Sequence, residues 1–206
     1  MKRSILIAGC LALAAGGGAM LTGCGGSASA TPGAITPDKF ADGVHAVMMA
    51  DRTVYAKHVV TRLKAQGAQV KPDEYWEEWT EDSGDPHMMP LPAQMFRMGA
   101  SLVNDNPDSG FQYGLKSLWP LNPQHKPTDE EEVKALKYLA DNPGENYSTE
   151  SVDADGNKVF VKYYPDRAVA KACWECHNDH ERRGEDYPTF EKDDVMGAVA
   201  VYVPLD

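Results

Sequence analysis

Basic side chains are the scarcer charged group in this chain of 206 residues. Lysine and arginine number 20 against 31 aspartates and glutamates, which gives a formal net charge of −11 at pH 7. An acidic surface repels the phosphate backbone of nucleic acids, so we predict that no nucleic acid is a partner. A partner protein with a basic surface fits this charge better.

Several signatures of enzymes are also missing. The sequence contains no phosphate-binding P-loop, no dinucleotide-binding glycine pattern and no Ser/His/Asp arrangement of the kind that hydrolases use. No internal repeat is present either. We therefore predict that the chain is not an enzyme.

Cysteine is rare, with four residues, yet two of the four lie in one short motif. The segment Cys173-Trp174-Glu175-Cys176-His177 has the C-x-x-C-H pattern of a c-type haem attachment site. Two thiols about one helical turn apart can form thioethers with the vinyl groups of the porphyrin, and the adjacent histidine can bind the iron. The motif predicts one covalent haem c held by both cysteines, with His177 as proximal ligand.

Two other interpretations of the motif were weighed. Cys173 and Cys176 could bind zinc together with His177 or His180, but a zinc site would need a fourth ligand at a suitable spacing. The cysteines could instead form a dithiol redox pair, which would be expected in a βαβ setting that this sequence lacks. The haem interpretation is favoured over both.

The N-terminus has the pattern of an export signal. Two basic residues precede an apolar stretch, residues 5–21, which glycines interrupt and which is too short for a convincing membrane span. The segment Leu21-Thr22-Gly23-Cys24 resembles a bacterial lipobox, in which Cys24 would be lipidated and become the first mature residue. The alternative is a plain secretory signal that is cleaved near Ala28 or Ala30.

These patterns divide the chain into a signal peptide over residues 1–23, a flexible tether over 24–37 and a haem domain over 38–206. The tether is mostly Gly, Ser, Ala, Thr and Pro, a composition that cannot bury a core. Removal of the signal takes away two positive charges and no negative ones, so the formal charge moves from −11 to −13. We expect a lipid-anchored protein of the cell envelope that faces the periplasm or the cell exterior.

Hydrophobic periodicity and turn signals predict an α+β fold with N-terminal helices and a small antiparallel sheet. A capping box of Thr128 and Glu131 should begin the third helix, and Asp166 should cap the short helix that carries the haem motif. The predicted helices are 40–63, 93–103, 128–140 and the motif helix, and the predicted strands are 111–118, 147–152, 158–164 and 197–204.

Several segments together resemble the PAS-like c-type haem domain of bacterial membrane sensors and free-standing monohaem proteins. They are Pro90-Leu91-Pro92-Ala93, Leu115-Lys116-Ser117, Tyr164-Pro165 before the motif, and Asp194-Val195-Met196-Gly197-Ala198. The resemblance covers roughly residues 40–204 and implies a PAS-like sheet that holds one haem. Some relatives use a cysteine of an N-terminal helix as the distal ligand, and this chain has no cysteine there.

The second axial ligand is predicted from helical geometry. At about 100° per residue, His58 falls inside the apolar stripe of the first helix and His45 falls at its edge, so His58 should point inward. His58 is the leading metal ligand besides His177. Met95, Met98 and His87 are the alternatives, and an open iron is another. His125 lies in a proline-rich loop without a metal-ligand neighbour in the sequence, and His180 is expected to be solvated.

The predicted function is one-electron transfer by a monohaem c-type cytochrome. The alternative is a haem-based redox or diatomic-gas sensor that acts through a separate partner protein, since no signalling module follows the domain in this sequence. A haem enzyme would need an open iron and a placed acid or base, and the sequence indicates neither.

Overall fold

The structure, a computed structural model of the chain, describes residues 34–70, 88–153 and 155–205. Its strands are β1 Gln69–Val70, β2 Met88–Met89, β3 Gln112–Lys116, β4 Tyr147–Val152, β5 Lys158–Arg167 and β6 Val195–Pro204. The main sheet is antiparallel with the order β3-β6-β5-β4, and β1 and β2 form a separate two-residue parallel ladder. The lipidation prediction for Cys24 and the ligand prediction for His87 lie outside the described residues.

Helices of the described chain pack on both faces of the main sheet. They are α1 Pro37–Val54, α2 Thr61–Lys64, α3 Pro92–Asn104, α4 Glu130–Asp141 and α5 Lys171–Asn178. A π-helical segment, Tyr55–Val60, joins α1 to α2, and a 3-10 turn, Pro123–His125, follows β3. The predicted α+β class, with N-terminal helices and a small antiparallel sheet, is confirmed.

Strand β6 is one of the two central strands, and both of its faces are covered. Its side chains alternate between two core clusters, as the twofold period of a strand requires. Ala198 and Ala200 belong to the cluster that includes Leu139 of α4. Val199 and Val201 belong to the opposite cluster, which includes Phe96 of α3. The small residues of β6 thus face α4, and the β-branched residues face α1 and α3.

The first helix is continuous from α1 through the π-helical segment to α2, as the apolar pattern over 40–63 predicted. Thr36 caps it by accepting a hydrogen bond from the backbone N–H of Lys39 at 3.3 Å, and a proline occupies the first turn. In the π-helical segment each turn holds more residues than in an α-helix. A constant rotation of 100° per residue therefore does not describe this helix to its end.

The prediction that His58 points inward is wrong. His58 is exposed, and so are Val47 and Val54, whose side chains are 63% and 55% exposed. The buried positions of this helix are Ala41, Ala56 and Val60. Small and β-branched residues therefore define the buried face, and the π-helical segment changes the rotation per residue before His58.

The cap residue of α4 lies one position later than predicted. Asp129, and not Thr128, is the cap residue, since its carboxylate accepts from the backbone N–H of Glu132 at 2.8 Å. Thr128 donates its backbone N–H and its hydroxyl to the carboxylate of Glu132 at 2.7 and 3.1 Å. The acidic partner is therefore Glu132, which is buried, and not Glu131.

The hairpin of β4 and β5 is confirmed. The carboxylate of Asp153 accepts from the backbone N–H groups of Asp155 and Asn157 at 2.9 and 2.8 Å. Gly156 has a φ of 85°, a value that glycine adopts without strain.

Among the described helices, none has both the length and the apolar composition that a membrane span requires.

Candidate functional site

Helix α5 carries the C-x-x-C-H motif between the two central strands. Cys173 and Cys176 are three residues apart, so their side chains lie on one face with their Cβ atoms about 5–6 Å apart. The two cysteines are not joined in a disulfide, and both are half-buried. Burial raises the pKa of both thiols, which keeps them protonated at neutral pH.

Two aromatic side chains position the imidazole of His177. Its Nδ1 lies 2.7 Å from the hydroxyl oxygen of Tyr187, and the ring of Phe190 packs edge-on with the centroids 6.0 Å apart. Burial lowers the pKa of His177 to about 4, so the ring is neutral at pH 7. With Nδ1 engaged, Nε2 is the nitrogen that is left for a ligand.

The loop after α5 folds back and fixes these two aromatic residues. The side chain of Asn178 donates to the carbonyl of Phe190 at 2.7 Å and accepts from its backbone N–H at 2.9 Å. The guanidinium of Arg183 donates to the carbonyl of Asn178 and lies 5.7 Å from the centre of the Tyr187 ring. Burial raises the pKa of Tyr187 to about 12, so its hydroxyl stays protonated.

A cavity opens in front of α5, and Cys173, Cys176 and His177 all line it. The end of β3 and its following loop form a second wall, and the first turns of α3 form a third. β3 approaches β6 closely here, because a Cβ on Gly197 would lie only 2.4 Å from the carbonyl oxygen of Lys116. This close approach brings the loop after β3 to the motif helix.

An ion pair connects α1 to this cavity. Nη1 of Arg52 lies 2.5 Å from Oδ1 of Asp166, and the two side chains are only 11% and 13% exposed. The guanidinium also lies 5.4 Å from the centre of the Phe96 ring. Asp166 therefore does not cap α5 as predicted; it belongs to β5, and the cap position of α5 is Ala170, which makes no side-chain cap.

His125 also lines the cavity, at the end of the 3-10 turn after β3. Its Nε2 is buried, and no described residue offers it a hydrogen-bond partner. Burial lowers the pKa of His125 to about 4, and the charge of Arg97 adds to the effect. The ring is therefore neutral, with a lone pair available on one nitrogen.

A sequence model of the Tll0287-like family matches residues 38–204. The chain belongs to the Tll0287-like family. The crystal structure of the cyanobacterial haem protein Tll0287 aligns with a TM-score of 0.49 and 18% sequence identity, covering 84% of this chain and 98% of that chain. No match was found among curated protein sequences.

Of the predicted second ligands, those that lie in the described residues do not line the cavity of this Tll0287-like chain. His58 is exposed on the helix surface, and neither Met95 nor Met98 is among the described residues that line the cavity, although both are half-buried on α3. His45, expected at the edge of the stripe, is instead packed inward with its ring 3.7 Å from that of Tyr164. His125 was not predicted, because nothing in its local sequence indicates a ligand.

The donor set of this Tll0287-like chain fits a covalently attached haem. Two protonated thiols on one helix face, a neutral imidazole with an anchored Nδ1 and a second neutral imidazole with an unsatisfied nitrogen all meet one cavity. A c-type haem is attached through two thiols and takes at least one axial ligand, such as a histidine nitrogen, from the protein. Within the described residues, no group of three or more His, Cys, Asp or Glu side chains is arranged to hold a bare metal ion.

Proposed function

We propose that this chain is a c-type cytochrome of the cell envelope that carries one covalent haem and transfers single electrons. The observation that carries the proposal is that Cys173, Cys176 and the anchored His177 line one cavity. The chain belongs to the Tll0287-like family, and Tll0287 itself is a cyanobacterial haem protein, which supports the same cofactor here. When bound, the haem supplies a one-electron ferric/ferrous couple.

The cysteines and the histidine of the motif would make different bonds to the haem. The thiols of Cys173 and Cys176 would add across the two vinyl groups and leave thioether bonds. His177 would give Nε2 to the iron, which places its proton on Nδ1, so that Nδ1–H donates to the oxygen of Tyr187. Such a partner fixes the ring orientation and makes the nitrogen a stronger donor.

The charge of the cavity wall supports an anionic cofactor. Although the whole chain is acidic, its described lining residues carry mainly positive charge, with Asp166 the exception among them. The two propionates of a haem are carboxylates, and arginine binds carboxylates with paired hydrogen bonds. The cationic lining residues are Arg52, Arg97, Lys116, Arg167 and Arg182.

Covalent attachment is tested by expressing the chain with a cytochrome c maturation system and measuring its intact mass. We expect the mass of one haem per chain and a haem-dependent peroxidase stain that survives denaturation. Cys173→Ala with Cys176→Ala should remove both signals, whereas Glu175→Ala should keep both, since it changes the motif without touching a thiol. A native protein that contains zinc and shows no Soret band would contradict the proposal.

The same preparation distinguishes electron transfer from the alternatives. A low-spin ferric iron and a ferrous iron that binds CO poorly would agree with electron transfer to a partner protein with a basic surface. Rapid, stoichiometric CO binding by the wild type would favour a gas or redox sensor instead. We also propose that the protein is not an enzyme and does not bind nucleic acid. Turnover of peroxide or nitrite above that of free haem would contradict the first of these two proposals.

We further propose that Cys24 is lipidated and anchors the protein to a membrane of the envelope. The support is the lipobox-like segment Leu21-Thr22-Gly23-Cys24 behind an apolar stretch. Labelled palmitate should be incorporated, and Cys24→Ser should abolish labelling and move the protein to the soluble fraction. Cys10→Ser is the matched control and should change neither result. Unchanged membrane association of the Cys24→Ser variant, with cleavage near Ala28 or Ala30, would support a plain secretory signal.

A further inference from the structure

The backbone of His125 is held in place independently of any ligand. Its carbonyl oxygen accepts from the backbone N–H of Ser117 at 2.8 Å, and its own N–H donates to the carbonyl of Asn122 at 3.0 Å. Ser117 is tied to the sheet in turn, since its hydroxyl donates to the carbonyl of Met196 at 2.8 Å. The imidazole is therefore presented to the cavity by a loop that is bonded to β6.

The side chain of His125 is the unsatisfied part of this arrangement. A buried polar nitrogen without a hydrogen-bond partner costs on the order of 1–3 kcal/mol, so a group of this kind usually has a role. Its Nε2 has no hydrogen-bond partner among the described residues, and the side chain lines the cavity that also holds His177. The charges of Arg97, Arg52 and Lys116 act on the ring and oppose its protonation, so it can offer a lone pair.

We propose that Nε2 of His125 is the second axial ligand of the haem iron. The inference rests on the proposed haem binding and identifies the ligand that closes the iron. Coordination would satisfy the unpartnered nitrogen, which explains why a buried imidazole stands in a wall that is otherwise rich in cations. Two neutral imidazoles would then hold the iron, one from α5 and one from the loop after β3.

The other side chains near the cavity suit this role less well. Arg52 is the residue of α1 that lines the cavity, and it is engaged with Asp166 at 2.5 Å. His180 also lines the cavity, but it follows His177 by three residues in the same segment, so it approaches from the same wall as His177 and not from across the cavity. His58 is exposed on the outer surface of its helix.

The test compares optical and electron paramagnetic resonance spectra of the haem-loaded full chain. The wild type should be low-spin with the signature of two imidazole ligands, and its ferrous form should bind CO poorly. His125→Ala should lose the low-spin signature and bind CO stoichiometrically, and added imidazole should restore the low-spin spectrum. His180→Ala and His58→Ala are matched controls and should keep the wild-type spectrum.

A second variant guards against failure of His125→Ala to fold. His125→Met supplies a thioether at the same position and should introduce a sulfur-to-iron charge-transfer band and raise the reduction potential. A low-spin spectrum that survives both substitutions would overturn the inference, and so would a wild type that is already high-spin. Intact mass is measured first, so that haem attached without His125 ligation contradicts only this inference, whereas absence of haem contradicts the proposed function as well.

Discussion

His45 and His125 are chemically alike and lie in two different regions of the molecule. Each has a buried Nε2 without a hydrogen-bond partner among the described residues, and burial lowers the pKa of each to about 4. His45 packs between α1 and the sheet, where its ring stacks on Tyr164 with an interplanar angle of 6°. His125 faces the cavity of the motif helix. The same side chain thus fills a core in one region and offers a ligand in the other.

The Arg52–Asp166 ion pair belongs to both regions. The charge of Asp166 acts on both His45 and His125 and opposes the lowering of their pKa values by burial. The side chain of Arg52 lines the cavity, whereas His45 of the same helix packs against Tyr164 of the sheet. Under the proposed ligation, burial and a missing partner do not define a ligand; the space that the nitrogen faces decides its role.

The largest effect in this comparison should come from Arg52→Ala. The substitution leaves the Asp166 carboxylate nearly buried without its partner and removes the contact with Phe96. Breaking a buried ion pair on one side costs about 3–5 kcal/mol, so we expect the free energy of unfolding to fall by about 3 kcal/mol. Denaturant unfolding of the haem-loaded protein measures it.

Arg62 provides the matched control for Arg52, because it lies on α2 with an exposed side chain. Arg62→Ala should change the free energy of unfolding by less than about 0.5 kcal/mol. If the two variants are equally stable, the ion pair does not join the two regions energetically.

A smaller effect should appear in the pH dependence of stability through His45. Its pKa is about 4 in the folded chain against an ordinary value of 6.5. Between pH 6.5 and 4, His45 is therefore protonated in the unfolded chain and neutral in the folded chain. Stability should therefore fall as the pH decreases from 6.5 towards 4, by about 1–2 kcal/mol once the partly solvated position of the ring is allowed for. His45→Phe keeps an aromatic ring against Tyr164 and should weaken this dependence.

Spectra of the same His45→Phe variant sharpen the comparison with His125. The iron spectrum should be unchanged, since the ring of His45 stacks on Tyr164 and is not among the described residues that line the cavity. His58→Phe, on the exposed face, should retain both the spectrum and the pH dependence of the wild type. A spectrum altered by His45→Phe would instead make His45 part of the site.

The smallest effect should come from Tyr187→Phe. It removes the hydroxyl beside Nδ1 of His177 and keeps the packing of the ring against Phe190. We expect haem to remain attached, stability to fall by about 1 kcal/mol, and the reduction potential to rise because the imidazole becomes a weaker donor. Redox titration measures the potential, with Tyr138→Phe on α4, which is not among the described residues that line the cavity, as control. An unchanged potential would exclude an orienting role for Tyr187.

Local patterns were sufficient to predict much of the fold. The hairpin of β4 and β5, the helices α1, α3 and α4, and the last strand follow from periodicity and from turn residues such as Gly156, because these signals lie within a few neighbouring residues. The first residues of helices were harder to predict. Thr128 and Asp129 are both of a type that caps helices, and the choice between them depends on the buried carboxylate of Glu132.

The sequence by itself determined the C-x-x-C-H pattern, which keeps two thiols and an imidazole within five consecutive residues whatever the fold around them. Only the tertiary structure decided what faces that motif. Arg52 and His125 line its cavity from distant parts of the chain, the latter through the close contact of β3 with β6, and the folded loop after α5 brings Tyr187 back to His177. It also turned His58 outward and His45 inward, since the helix buries the face that carries Ala41, Ala56 and Val60 and the π-helical segment changes the rotation per residue before His58.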